Sequence, residues 1–524
     1  MREAGRTLVR SLMDPARYGH PVGRIELVET HISWVLLTGD YAYKIKKPVN
    51  LGFLDFSTPA KRRRFCREEL RLNRRLAPQL YLDVVPITGS PASPRWGGRG
   101  RPLDFAVKMR QFPFGAQLDR VAARGELQAE QIDGLAGTLA SFHDAAPVAP
   151  AGSRFGSPRL IGRAVGDNFA QMRRCLASAD RRRRHRRLQA WSQADLAEHD
   201  DAFRARKTRG FVRECHGDLH LANMILWDGS IVPFDCLEFN QELRWIDVMS
   251  DVAFACMDLE SRGHAGLAHR LLNGYLEAGG DYDGLAVFRT YRVYRALVRA
   301  KVACIRGRQT RPADPARRAL RRELEHYVEL AERWTRPSRP YMVIMRGVSG
   351  SGKTVLSQRL VEACGAVRVR SDVERKRLFG LAPLARSGAA LARRLYSGAV
   401  SRRTYERLAG LAGLILRAGY PVIVDATFLW RSGRDEMRRV AEQQGAPWVI
   451  LDLHAPAPVL RERVLRREAE RHDASEAGLA VLERQLAADE PLSEAERPHA
   501  LTVPTGEEVD LPRLVAAMAR AARN

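Results

Sequence analysis

The chain is short of lysine, has no paired cysteines and lacks any long apolar run. Of its 86 basic residues only 9 are lysine and 77 are arginine, against 61 acidic residues, giving a formal charge of +25. An arginine skew of this kind follows from GC-rich coding as readily as from selection for anions. The charge therefore permits a nucleic-acid or phosphate-rich partner without demanding one. The seven cysteines lie at 66, 175, 215, 236, 256, 304 and 364, and none forms a C-x-x-C pair. That argues against a disulfide framework or a zinc site and fits a reducing cytoplasm. The N-terminal stretch MREAGRTLVRSLMDPARYGHP has charges but no apolar core, so no signal peptide is expected. The most apolar stretch, Leu408 to Trp430, is broken by Arg417, Pro421 and Asp425, so no membrane-spanning helix is expected either. No repeat is visible.

What is present is a globular composition, 45% hydrophobic and 28% charged over 524 residues. At roughly 100–200 residues per domain this length suggests several units. The pattern changes near residue 338, where a polar helix expected over about Pro315–Trp334 ends in TRPSRP, a short stiff linker. Beyond it, apolar runs at 341–346, 366–371, 420–425, 447–453 and 499–503 alternate with helical patterns. That alternation predicts an α/β domain over 339–524 with a parallel sheet covered on both faces. Residues 1–338 read differently. Residues 24–55 and 82–112 alternate as antiparallel strands, with SPASPRWGGRGRP as a hairpin loop and a helix from about Pro59 to Leu76. From about 125 to 335 the chain reads as mainly helical, with short strands around 223–235.

GVSGSGKT, residues 347–354, matches G-x-x-x-x-G-K-[ST] and sits between an expected strand and an expected helix, the context this motif requires. Backbone N–H groups of Gly347, Ser349, Gly350, Ser351 and Gly352 would face the phosphates of ATP, aided by the helix N-terminus. Lys353 would reach the β- and γ-phosphates, and Thr354 would hold Mg²⁺. Asp425 ends the apolar run PVIVD, where a carboxylate suits Mg²⁺ or its water shell; the competing reading is a helix N-cap. Asp372 ends AVRVRSD, at the strand end where ligands of such sheets lie. It is the candidate base for an acceptor hydroxyl, again against an N-cap. Arg375, one turn on, would hold an anionic acceptor or stand as a solvated helix charge.

The second constellation is HGDLHLANMILWDGSIVPFD. His216, Asp218 and Asn223 follow H-x-D-x-x-x-x-N, and Asp235 closes the following strand. Phosphoryl transfer asks for a base and for metal-held phosphates rather than covalent chemistry. Asp218 is the candidate base, Asn223 and Asp235 are candidate Mg²⁺ ligands, and His216 would brace the loop.

Residues 339–524 resemble small P-loop kinases: the 5′-kinase domain of phage polynucleotide kinase, gluconate kinases and zeta-toxin-like kinases. GVSGSGKT, SDVERKRL and VIVDATF carry the likeness. It implies phosphoryl transfer to a hydroxyl and a lid helix with phosphate-clamping arginines. RERVLRRE offers Arg463 and Arg466 among its four arginines. HGDLHLAN with IVPFD resembles aminoglycoside phosphotransferases and choline-kinase-like enzymes, relatives of protein kinases. Leu221 stands where that family has Pro, and CLEF follows Asp235. The likeness implies a bilobal α+β kinase fold, with an N-lobe over about 20–112 and a helical C-lobe over about 113–335. It also implies a strand lysine paired to a helix glutamate. Lys44 and Lys46 of AYKIKKP share a strand face; Lys44 is chosen, with Glu69 rather than Glu68 as partner. Glu238 lies near enough to contribute, and Asp251 of SDVAF would support the loop. The order of the two halves resembles a bacterial family described as bifunctional aminoglycoside phosphotransferase/ATP-binding proteins. Two ATP·Mg²⁺ sites and a small-molecule acceptor are the expectation. A polynucleotide 5′-hydroxyl kinase and a regulatory ATP-binding protein are the alternatives.

RRRRHRR at 181–187 is the densest charge run. Such blocks are usually solvated or disordered, and no aromatics accompany this one to stack bases. A nucleic-acid partner is possible but not favoured, and no membrane partner is expected. Most of the basic excess lies before residue 338, which disfavours a polycationic acceptor there.

Overall fold

The computed structural model describes residues 2–52, 54–176, 178–311, 313–385, 387, 394–470 and 474–521. Contacts divide it into two compact units: Met1–Gln171 with Leu196–Asp258, and Met172–Asp195 with Leu259–Asn524.

The first unit is built on β1 (Glu26–Glu29), β2 (Ser33–Leu37), β3 (Tyr41–Lys46), β4 (Tyr81–Ser90), β5 (Ser93–Trp96) and β6 (Asp104–Arg110). They form one antiparallel sheet in the order β1-β2-β3-β6-β4-β5. The segment read as a Gly/Pro/Arg loop thus contains a strand, because β5 pairs with β4 from Ile87↔Trp96 to Ser90↔Ser93 before the glycines begin. Side chains of β3 alternate between faces. Tyr43 and Ile45 pack with Trp34, Leu36 and Ile87, whereas Ala42 packs with Cys66, Val107 and Met109. Lys44 and Lys46 therefore share the Ala42 face, which the helix Pro59–Asn73 covers. Thr58 starts that helix, its hydroxyl accepting the Lys61 N–H at 3.3 Å, with Pro59 in the first turn. Cys66, Glu69, Leu72 and Asn73 recur at helical spacing and are buried. Two antiparallel pairs, β7 (Val212–Glu214) with β10 (Trp245–Asp247) and β8 (Met224–Trp227) with β9 (Ser230–Pro233), bracket the 216–223 loop. The helix Val248–Ser261 follows.

The second unit holds five parallel strands: β11 (Met342–Arg346), β12 (Val367–Arg370), β13 (Val422–Asp425), β14 (Trp448–His454) and β15 (Ala500–Pro504), in the order β12-β13-β11-β14-β15. All five fall on the expected runs. β11 and β13 are buried at every position, as a sheet covered on both faces requires. Val343, Met345, Ile423, Val449 and Leu451 pack one face against Leu356 and Leu360 of the helix Lys353–Cys364. The unit also takes in the helices Ala265–Gly279, Leu285–Gln309 and Pro315–Trp334, which precede the TRPSRP segment.

Two expectations are corrected here. Cys175 and Cys304 are joined as a disulfide. A cysteine count without C-x-x-C argues against a framework, but it is blind to a single pair 129 residues apart that the fold brings to a Cα–Cα separation of 6.0 Å. The arginine run 181–187 is neither disordered nor wholly solvated. It lies on the helix Ala179–Glu198, where Arg184 meets Glu325 at 3.0 Å and Glu332 at 2.8 Å on the helix Pro315–Trp334. Opposite charges on a facing helix neutralise part of a run that looks unpaired in one dimension. Among the described residues no helix is long and apolar enough to cross a membrane.

Leu451, on β14 between β11 and β15 of the parallel sheet, is fully buried. Leu451→Ala removes buried carbon and leaves a cavity, so a loss of about 2–5 kcal/mol of stability is expected, read by denaturant titration of the full chain.

Candidate active sites

The first site grows from β3. Lys44 Nζ lies 2.7 Å from Glu69 Oε1 and 2.6 Å from Asp235 Oδ1. Lys46 Nζ lies 2.6 Å from Glu69 Oε2 and also pairs with Glu238. Glu69, with no exposed surface, is thus shared by both lysines, while Glu68 instead holds Arg71 and Arg244. Only Lys44 also reaches Asp235. Burial works against the Lys44 ammonium, but Asp235 and Glu69 outweigh it and raise its pKa well above the ordinary value. Burial likewise works against the Glu69 carboxylate, yet Lys44 and Lys46 hold it down at about 2. At Glu238 burial wins over Lys46, and its pKa is raised.

Asn223 Nδ2 donates to Asp218 Oδ2 at 3.0 Å and to the Asp218 carbonyl at 3.0 Å, which orients both side chains. Beneath them, Asp251 accepts the backbone N–H groups of His216 at 2.7 Å and Gly217 at 2.9 Å. Gly217 has φ +86°, and a Cβ there would come within 2.7 Å of the Leu243 carbonyl, so only glycine fits. The His216 ring meets the Phe234 carbonyl at 2.8 Å, tying the loop to the end of β9. Asp235 has φ +61°, a conformation that costs a non-glycine residue about 1–3 kcal/mol and gathers at functional sites. Tyr81 Oη accepts its N–H at 3.1 Å, and Asn73 Oδ1 accepts the Cys236 N–H at 2.8 Å. Helical spacing puts Asn73 on the Glu69 face but does not show this role, and Tyr81 lies outside the motifs.

The second site opens at the ends of the parallel strands. A cavity of about 700 Å³ is lined by Ser349, Gly350, Gly352, Lys353, Thr354, Asp372, Arg375, Asp425, Arg463 and Arg466, among others. Eight basic and four acidic side chains line it. Gly347, φ +145°, has no room for a Cβ, which would lie 2.6 Å from Ser351 Oγ and 2.8 Å from the Leu453 carbonyl. Lys353 Nζ donates to the Gly347 and Val348 carbonyls, each at 2.7 Å, and to Ser351 Oγ at 3.2 Å, so its ammonium lies over its own loop. Ser349 N donates to Gln485 Oε1 at 2.7 Å. Asp425 Oδ2 accepts from Ser357 Oγ at 3.0 Å. Asp372 holds Arg375 at 2.6 Å. Of the four arginines in RERVLRRE, Arg463, Arg466 and Arg467 line the cavity, whereas Arg461 turns to Glu483 at 2.8 Å. Arg463 donates to the Thr505 carbonyl at 2.6 Å.

Residues 52–288 match the phosphotransferase enzyme family, and residues 342–492 match an AAA domain. The uncharacterized protein Rv2004c of Mycobacterium tuberculosis is 31% identical over 470 residues, covering 89% of this chain and 92% of its own length. The uncharacterized protein Mb2027c of Mycobacterium bovis matches to the same extent. The chain belongs to this family. The family fuses an aminoglycoside-phosphotransferase-like kinase domain to a P-loop kinase domain. Among solved structures, a choline/ethanolamine kinase family protein from Mesorhizobium loti covers 64% of this chain and 95% of its own, at 13% identity and TM-score 0.38. A gluconokinase from Sinorhizobium meliloti covers 36% and 96%, at 23% identity and TM-score 0.26.

Because the folded-state pKa of Glu69 is depressed, its contribution to stability is complete above about pH 4.5 and is lost as the pH falls toward 2. Glu69→Gln is expected to cost roughly 3–5 kcal/mol near neutral pH, because it removes the carboxylate that both lysines share and leaves each with one partner, Asp235 or Glu238. In urea titrations the gap to the unaltered chain should stay constant above about pH 4.5 and narrow as the pH falls from there toward 2.

Proposed function

We propose that this protein is an ATP-dependent kinase with two active sites, each transferring the γ-phosphate to a hydroxyl group of a small molecule, a sugar or related metabolite. One observation supports the reading: each compact unit gathers a lysine, side-chain oxygens of hydroxyl, amide or carboxylate type, and a further aspartate around one candidate site. Magnesium ATP, when bound, supplies the phosphoryl group and the cation that neutralises its charge.

In the first site Lys44, fixed by Glu69, orients the nucleotide phosphates. Asn223 and Asp235 offer amide and carboxylate oxygens, the hard donors that suit Mg²⁺. Asp218 takes the proton of the acceptor hydroxyl, held in place by Asn223. In the second site the 347–352 loop and Lys353 bind phosphate oxygens. Thr354 and Asp425 are the oxygen donors for Mg²⁺. Asp372 serves as base beside Arg375, which holds an anionic part of the acceptor, and Arg463 and Arg466 close over the transferred group. Catalysis of this kind is positioning and charge stabilisation. The excess of basic side chains in the cavity opposes a polycationic acceptor and suits an uncharged or anionic one. A cytoplasmic setting, where ATP is abundant, fits the reading.

Calorimetric titration should find two ATP molecules per chain, with Lys353→Ala and Lys44→Met each removing one. A screen of labelled-phosphate transfer to sugars, amino sugars, nucleosides and 5′-hydroxyl oligonucleotides identifies the acceptors. Asp218→Asn and Asp372→Asn should each lower kcat about 10²–10⁴-fold on one acceptor reaction. If neither changes turnover, the assignment of bases is wrong, and transfer to oligonucleotides alone would replace the metabolite reading.

A further inference from the structure

The helix Ala265–Gly279 lies inside the span matched by the phosphotransferase family, yet it packs within the unit that holds the P-loop. Its polar side chains are spent on that unit. Arg270 meets Glu362 at 2.6 Å, and Asn273 pairs with the edge strand β12 like a short piece of backbone. Its Nδ2 donates to the Ala366 carbonyl at 3.1 Å and its Oδ1 accepts the Arg368 N–H at 2.7 Å. One turn on, Glu277 holds two guanidinium groups: Arg368 Nη2 at 3.2 Å and Arg370 Nη1 at 3.1 Å. Both arginines lead into the phosphate site. Arg370 lines the cavity. Arg368 Nη1 reaches the Thr354 carbonyl at 3.3 Å and Ser357 Oγ at 3.3 Å, and that hydroxyl is the one 3.0 Å from Asp425. An unbroken polar chain thus runs from Glu277 through Arg368 and Ser357 to Asp425.

A guanidinium with five donors in a rigid fork is placed by its carboxylate partner. Without Glu277, Arg368 and Arg370 would lose the carboxylate they share, beside a site that also has to hold a cation. Half-buried beside them, Glu277 is nonetheless kept ionised: desolvation opposes its charge, but Arg370 and Arg368 lower its pKa.

We propose that the helix Ala265–Gly279 is a working part of the P-loop site, with Glu277 as a positioning residue that aligns the Thr354–Asp425 cation site through Arg368. The two kinase sequences then share a structural element, and the P-loop site is incomplete without a helix of the phosphotransferase sequence. This rests on the reading of the cavity as an ATP site.

The test uses the full chain in a Lys44→Met background, so that ATP binding reports the P-loop site alone. Calorimetry measures ATP affinity with magnesium and again with EDTA. Glu277→Gln keeps the shape and removes the charge. It should weaken binding about tenfold with magnesium and much less in EDTA, so the ratio of the two affinities falls. Arg368→Gln should do the same, and it decides the matter if Glu277→Gln does not fold. Lys353→Ala should abolish binding in both conditions. If it does while Glu277→Gln and Arg368→Gln leave the ratio unchanged, or weaken both conditions equally, the positioning role is overturned and the ATP site stands. If Lys353→Ala leaves binding intact, the reading of the cavity fails and the inference with it.

Discussion

Glu69 has no exposed surface and holds two ammonium groups, one on each of its oxygens. Taking such charges out of water is costly unless each finds a partner with good geometry. That requirement sets much of the first unit. It fixes the rotation of the helix Pro59–Asn73 over β3, because Glu69 has to face the Lys44 and Lys46 side of the strand. It fixes the 235–238 segment too, since Lys44 needs Asp235 and Lys46 needs Glu238. The second unit repeats the device with the charges enlarged: Glu277 holds Arg368 and Arg370. In both places one carboxylate shielded from solvent brings two cations to a candidate active site and holds them there.

The loops that would meet phosphate are bent into conformations that side chains resist. Gly217 and Gly347 have positive φ with backbone carbonyls where a Cβ would go, and Asp235 carries positive φ with a side chain. Such bends persist because their surroundings over-determine them. Asp251 takes two successive N–H groups of the 216–217 turn, Tyr81 takes the N–H of Asp235, and Lys353 crosses over its own loop to two carbonyls. The strain is placed where backbone groups or oxygen donors have to converge, and the supporting hydrogen bonds come from elements far away in sequence.

The sequence by itself determined the fold class of each half and which candidate side chains share a face. Five apolar runs spaced by helices can only bury themselves as a parallel sheet, and the alternation of β3 puts Lys44 and Lys46 on one face. Helical spacing separates Glu69 from Glu68. The G-x-x-x-x-G-K-T and H-x-D-x-x-x-x-N spacings are local, so they can be read from one stretch of chain. What only the tertiary structure decided is whatever depends on chain segments meeting across long separations. The Cys175–Cys304 bond, the partial neutralisation of the 181–187 arginines by Glu325 and Glu332, and the turning of Arg461 away from the cavity that the other RERVLRRE arginines line are of this kind. So is the placing of Glu277 on Arg368. Periodicity tells which face of an element is buried, but not which distant charge waits on the other side of the contact. That is settled by packing, where a buried charge is tolerated only beside its opposite.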